Sequence, residues 1–178
     1  MINWKIDDSW TLFLDRDGVI NKRKMGDYIK TVDEFVFLPG VLDAIQILTQ
    51  KFGKIFIVTN QQGIGKGLMT ETDLKEIHHY MIQEIILNEG EITKVFHAPG
   101  ISSAENDLRK PNPGMAFLAQ IEFNDVNFEK SVMVGDTDSD VIFGRNLGMK
   151  TVRVHSEDTI SVNADQTVNS LLEFAKLI

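Results

Sequence analysis

The sequence predicts an α/β fold: a doubly wound, mostly parallel sheet with helices on both faces, a small flap and no large cap domain. Two observations predict it. Short runs rich in β-branched and aromatic residues alternate with longer amphipathic ones, the strand–helix–strand rhythm of a parallel sheet. The strand ends also carry polar residues able to do chemistry, as open α/β sheets do at their carboxyl edge. A chain of 178 residues without repeats, low-complexity stretches or linkers suits one domain over residues 1–178.

The elements follow in order. Residues 10–14 form the first strand, a greasy run that breaks off at Asp15 and Asp17 with Gly18 behind them. Side chains alternate along a strand, so the two aspartates would share a face if the extended geometry continued. Residues 21–38 are mixed in character and form a flap or short hairpin. A helix starts at Pro39–Gly40 and runs to about Lys51, with Val41, Leu42, Ile45 and Leu48 at helical spacing, and Gly53 ends it. Residues 54–58 are a buried strand and residues 61–67 a glycine-rich loop. Thr70 caps a helix that continues through Leu74, Ile77, Met81 and Ile85 to about Asn88. A third strand spans 92–97, and 98–109 is a loop. Asn112 and Pro113 open a helix to about Glu122. Residues 131–134 are a strand ending at Gly135–Asp136. A short helix over 139–147 stops at Gly148, residues 151–154 form the last strand, and 168–177 the closing helix.

The acidic balance, 18 basic against 26 acidic side chains for a net charge of −8, argues against sequence-blind binding to nucleic acid or an anionic membrane. The absence of cysteine excludes disulfides, thiolate metal sites and a thiol nucleophile. It accords with a reducing compartment, so a cytoplasmic location is expected. The first nine residues lack the basic start and apolar centre of a signal peptide, and no apolar run reaches membrane-spanning length.

In a parallel sheet the carboxyl ends of the strands converge. That edge would gather Asp15 and Asp17, then Thr59 and Asn60, then Arg109 and Lys110, then Asp136 with Asp138 and Asp140 just beyond. Carboxylates without sulfur or clustered histidine favour a hard ion, Mg²⁺ first. A hydroxyl and a lysine suit phosphoryl oxygens, the lysine as a point charge. Several look-alikes fall away. Residues 63–67 lack the order of a nucleotide phosphate loop. A calcium loop from Asp136 fails where Val141 and Leu147 stand. His78 and His79 read as solvated surface or packing. Lys22, Arg23 and Lys24 read first as a solvated turn, with contact to substrate anions as the alternative.

The four motifs in order, D-R-D-G at 15–18, T-N-Q at 59–61, R-K-P at 109–111 and G-D-T-D-S-D at 135–140, resemble those of the haloacid dehalogenase-like phosphatases. The likeness spans about residues 12–151. F-L-D-R-D-G-V-I-N, V-T-N-Q and R-K-P are most similar to the histidinol-phosphate and heptose 1,7-bisphosphate phosphatase branch. The resemblance implies a Mg²⁺-dependent phosphatase acting on a small phosphorylated metabolite through an aspartyl-phosphate. A sugar phosphate such as a heptose bisphosphate is favoured, with histidinol phosphate second. It implies Asp15 as nucleophile and Asp17 as general acid and base. It implies Asp15, the Asp17 carbonyl and Asp136 on Mg²⁺, and Thr59, Asn60 and Lys110 on phosphate. Gln61 and Arg109 would face the rest of the substrate, and Asp140 would orient Lys110 or a metal-bound water. Many members bind zinc through cysteines before R-K-P. Here that stretch, 97–108, offers one histidine, so no zinc is expected. The intervals from Asp17 to Asn60 and from Thr59 to Lys110 leave no room for a sizeable cap. A phospho-acceptor signalling module and a polynucleotide 3′-phosphatase remain alternatives. The first has no use for an acid/base at Asp17, and the acidic charge disfavours the second.

Overall fold

A computed structural model describes residues 2–102 and 108–178. The strands are β1 (Thr11–Leu14), β2 (Lys54–Asn60), β3 (Lys94–Ala98), β4 (Ser131–Gly135), β5 (Lys150–Val154) and β6 (Gln166–Val168). The helices are α1 (Val41–Thr49), α2 (Gln62–Gly65), α3 (Glu71–Leu87), α4 (Gly114–Glu122), α5 (Asp138–Asn146) and α6 (Leu171–Leu177). All strand pairings among the described residues are parallel, in the order β3-β2-β1-β4-β5-β6. This is the expected sheet, and its central strands β1 and β4 are buried at every position.

Alternation along β1 builds both faces. Leu12 and Leu14 point to one side and pack with α1, α3 and α6 through Ile45, Leu48, Ile77, Met81 and Phe174. Phe13 points to the other and meets Phe56, Met133, Phe143 and the Met115, Ala116 and Ala119 stripe of α4. The Phe13 and Phe56 ring centroids are 5.4 Å apart, and Phe13 is fully buried. Burying one such ring contributes about 1.5–3 kcal/mol.

The strand order reverses at β1, whose neighbours are β2 on one side and β4 on the other. That reversal opens a crevice at the carboxyl ends of β1 and β4, where doubly wound sheets bind ligands. Leu14 pairs with Val134, so the segments carrying Asp15 and Asp136 leave the sheet side by side.

Three local expectations are corrected. Residues 151–154 are not the last strand. β6 follows at the sheet edge, and its three residues are too short to show a period of two, so the closing helix begins only at Leu171. Within the glycine-rich loop, residues 62–65 coil into one helical turn. The flap is no regular hairpin. A single antiparallel bridge, Asn21 with Phe37, closes it, and a 3₁₀ turn over Val32–Glu34 sits within it. No helix among the described residues is long and apolar enough to cross a membrane.

Candidate active site

The end of β1 places Asp15 in the crevice with little exposure, and Lys110 lies against it, fully buried. The Lys110 ammonium is 2.8 Å from Asp15 Oδ1 and 2.7 Å from Asp140 Oδ1. The loop before α4 is anchored so that this reach is fixed. Asn60 Oδ1 accepts from the Lys110 backbone N–H at 2.9 Å, and Asn60 Nδ2 donates to the Lys110 carbonyl at 3.1 Å. Asn60 therefore clasps the lysine's main chain with both ends of its amide.

Asp140 owes its direction to the start of α5. The Thr137 N–H and hydroxyl both donate to Asp140 Oδ2, at 3.0 and 2.7 Å, the reciprocal capping pattern of a helix N-terminus. The other oxygen is left for Lys110. A Cβ on Gly135 would come within 2.1 Å of the Asp140 Cβ, so only glycine lets the two segments approach this closely. Gly18 is similarly constrained: its φ is +90°, and a Cβ there would sit 2.3 Å from Asp136 Oδ2.

Asp15, Asp136 and Asp140 offer oxygens within 4.8 Å of one another. Asp136 Oδ1 is buried without a hydrogen-bond partner among the described residues, an orphan acceptor among carboxylates. Burial first, then the neighbouring Asp15 charge, pushes Asp136 up to about 8. Burial likewise lifts Asp15 to about 7, with Lys110 opposing and Asp140 adding to the rise. An oxygen-only acidic cluster with an orphan acceptor and raised pKa values fits a hard divalent cation. Burial alone would lower Lys110, but Asp140 and Asp15 outweigh it and keep it charged.

These shifts have a consequence for stability. Both carboxyls bind protons more tightly in the fold than in the unfolded chain. Their stabilising share is full below the ordinary carboxylate pKa and disappears as pH rises through the folded values. Metal-free protein is therefore expected to lose melting temperature steadily between about pH 4 and about pH 8. Mg²⁺ is expected to restore more of it at the upper end. Thermal melts across that range, with EDTA and with Mg²⁺, check both trends.

Asp17 is held differently. Burial, the largest single influence, would raise its pKa, but the Arg16 charge and the hydrogen bonds from Asn21, Arg16 and Gln61 together outweigh it, and the carboxyl stays below its usual range. Arg16 Nη2 donates to both Asp17 oxygens at 3.0 and 2.9 Å. Gln61 Nε2 donates to Asp17 at 2.9 Å and to the Thr59 hydroxyl at 2.8 Å. Gln61 thus braces Asp17 and Thr59 from within the site.

A cavity of about 210 Å³ joins Asp15, Asp17, Thr59, Arg109, Lys110 and Asp136. Arg109 borders it with a buried Nη1 that has no partner among the described residues. Asp138 is not part of the cluster. It turns toward Arg153 and the backbone of Ser161 and Val162. The solvated-turn reading of the 22–24 cluster is corrected at Arg23. Its Nη1 is 3.1 Å from Asp136 Oδ2 and its Nη2 2.5 Å from Asp158, which brings the flap onto the site. Lys24 pairs instead with Glu34 and Asp27 on the flap itself. The sequence signal for Arg23 was the basic cluster; its inward direction depends on Asp158, more than a hundred residues away. His97, the one histidine of the region aligned with zinc loops, hydrogen-bonds Glu71 at 2.9 Å. Residues 103–107 of that comparison lie outside the described residues.

With this geometry in place, comparison with known proteins is informative. A family model described as "HAD-hyrolase-like" matches residues 107–173. A D-glycero-alpha-D-manno-heptose-1,7-bisphosphate 7-phosphatase of Mycobacterium bovis is 34% identical over 98% of this chain and 94% of its own length. One of the same name from Campylobacter jejuni is 35% identical over 83% of each chain. Among solved structures, D,D-heptose 1,7-bisphosphate phosphatase from B. bronchiseptica, complexed with magnesium and phosphate, superposes with a TM-score of 0.85 at 27% identity, covering 94% of this chain and 97% of its own. The chain belongs to the haloacid dehalogenase-like phosphatases, in the branch of the heptose bisphosphate phosphatases.

Proposed function

We propose that the protein is a Mg²⁺-dependent phosphatase of a small sugar phosphate, a heptose bisphosphate first, working through an aspartyl-phosphate on Asp15. The observation that carries this reading is the Lys110 ammonium wedged between Asp15 and Asp140, beside the orphan oxygen of Asp136. An apolar strand end would not assemble three carboxylates and a buried lysine unless a cation and an anion were to meet there.

Asp15 and Asp136 hold Mg²⁺ in this reading, together with the Asp17 carbonyl. Bound there, Mg²⁺ would supply positive charge against the phosphoryl oxygens and favour the ionised form of Asp15. An Asp15 oxygen attacks phosphorus, and the bond from phosphorus to the ester oxygen breaks. Asp17 gives its proton to the departing oxygen. Water then attacks the phosphoryl group, Asp17 takes the water's proton, and phosphate leaves with Asp15 regenerated. In the arrangement seen, Arg16 keeps Asp17 ionised, the form that receives a proton. An incoming phosphate dianion pushes that pKa upward and readies the acid form. Lys110 and Thr59 steady the phosphoryl oxygens, and Arg109 offers its unpaired guanidinium nitrogen to the rest of the substrate. Asn60, Gln61 and Asp140 hold these groups in place. Cavities of about 590 Å³ and 360 Å³ flank the phosphate cavity, and Arg23 borders all three, which leaves space for a sugar on either side of the flap.

The test is phosphate release from a panel comprising a heptose 1,7-bisphosphate, histidinol phosphate and a 3′-phosphorylated oligonucleotide, each with Mg²⁺ and with EDTA. The expected result is Mg²⁺-dependent release, fastest from the sugar bisphosphate. Equal rates with EDTA would remove the metal from the reading. Preference for histidinol phosphate or the oligonucleotide would replace the substrate.

A further inference from the structure

His78 terminates a line of contacts that leads from α3 into the phosphate cavity. Its Nε2 is 3.2 Å from Arg16 Nη1. Arg16 is wholly buried, and its Nη2 grips both oxygens of Asp17. A guanidinium has donors only, so the imidazole meets it with a bare lone pair on Nε2. Burial, and then the Arg16 charge, pushes His78 down to about 3, which keeps the ring neutral and accepting. Arg16 Nε has no partner among the described residues, and the Phe35 ring lies 5.9 Å from the guanidinium carbon. The polar partners of this buried guanidinium among the described residues are thus Asp17 on one nitrogen and His78 on the other.

We propose that His78 is a positioning residue: by accepting from Nη1 it fixes the plane of the Arg16 guanidinium, and so holds the Asp17 carboxyl at the cavity edge where a leaving oxygen must collect its proton. Two anchors define an orientation that one does not. Without His78 the guanidinium can pivot to offer other nitrogens to Asp17, and the carboxyl follows it. The inference rests on the reading of Asp17 as the acid, and it concerns the step in which the ester oxygen departs. An alkyl leaving group needs that proton, whereas a nitrophenolate departs without it.

The experiment compares the full chain with His78→Ala and His78→Gln on two esters: the sugar phosphate that the parent turns over fastest, and p-nitrophenyl phosphate. For His78→Ala, the single-turnover rate of leaving-group release is expected to fall about tenfold on the sugar phosphate with KM within about twofold, and to stay within about threefold on p-nitrophenyl phosphate; the later hydrolysis of the aspartyl-phosphate, with Asp17 as its base, is common to both esters. Glutamine presents an acceptor oxygen at similar reach and is expected to recover most of the sugar phosphate rate. Equal losses in leaving-group release on both esters, a change in KM alone, or no recovery with glutamine would overturn the proposal. A second readout needs no turnover. The Arg16 Nη1–H resonances in ¹⁵N spectra are expected to be protected in the parent and the glutamine variant and lost in the alanine variant, while those of Nη2, held by Asp17, persist. Nη1 protection that survives in His78→Ala overturns the proposal as well. Should the parent release phosphate from neither ester, the phosphatase reading fails, and the Arg16 resonances alone decide the positioning.

Discussion

Replacing Asp15 by asparagine is expected to lower turnover by about four orders of magnitude or more, the usual scale for loss of a nucleophile whose partners remain in place. The substitution is nearly isosteric, so the cavity and the Lys110–Asp140 pair should survive it. The folded protein should not suffer. Asp15 is buried with its pKa raised, so its charge is a burden on the fold at pH 8 when no metal is present. Asp15→Asn is therefore expected to melt at or above the parent temperature at pH 8 in EDTA, and to show a shallower decline with pH. A variant that keeps the parent's rate of phosphate release would remove Asp15 from the chemistry. One that is inactive because it is unfolded would show in the melt. Activity and stability moving in opposite directions is the signature expected of a group held against its own solvation for function.

The same residues show how much of the site could be read from the sequence. Asp15, Lys110 and Asp136 sit one step past β1, before α4 and one step past β4, and parallel strands bring such positions to one edge whatever the side chains do. Backbone topology decides their convergence, and topology follows from the apolar periodicity of residues 10–14, 54–58 and 131–134. Side-chain direction beyond the strand ends is another matter. Asp138 and Asp140 look equivalent in sequence, yet one faces Arg153 and the other Lys110. The T-x-x-D capping spacing from Thr137 could have separated them, because it ties Asp140 back over the first turn of α5. Gln61 and Asn60 were expected toward substrate and phosphate. Both line cavities of the site, and their side-chain amides hydrogen-bond to Asp17, Thr59 and the Lys110 backbone, choices set by loops distant in sequence. Arg16 was passed over between two aspartates, although a buried arginine there needs partners. His78, one of them, lies on a helix whose hydrophobic stripe runs through Leu74, Ile77 and Met81 and gives no hint of it. Long-range ion pairs such as Arg23 with Asp158 leave no periodic trace, so only the folded arrangement reveals that the flap reaches the site.

Lys110→Met is expected to damage both activity and stability, and the pattern of damage separates its two roles. The lysine is the cation that compensates Asp15 and Asp140 directly, at 2.8 and 2.7 Å, with almost no exposure to water. Removing one partner of a buried pair leaves uncompensated charge behind, which typically costs about 3–5 kcal/mol. That loss should be full at pH 8 in EDTA. It should shrink toward pH 5, where protonation relieves Asp15 and Asp136, the two carboxyls whose pKa values lie near 7 and 8. Mg²⁺ should recover part of it at pH 8 by supplying a replacement positive charge. Phosphate release should nonetheless fall about 10²–10³-fold even at saturating Mg²⁺, because the ammonium is aimed where charge develops on the phosphoryl oxygens. Adding Asp140→Asn to Lys110→Met removes one of the stranded carboxylates. The double variant is therefore expected to be more stable than Lys110→Met alone while remaining as slow. Chemical denaturation at the two pH values, with phosphate release measured on the same samples, checks each arm. If the double variant regained the parent's rate, Lys110 would be only a counter-ion for Asp140, and the phosphate-binding role would pass to the guanidinium groups of Arg109 or Arg23, which also border the cavity.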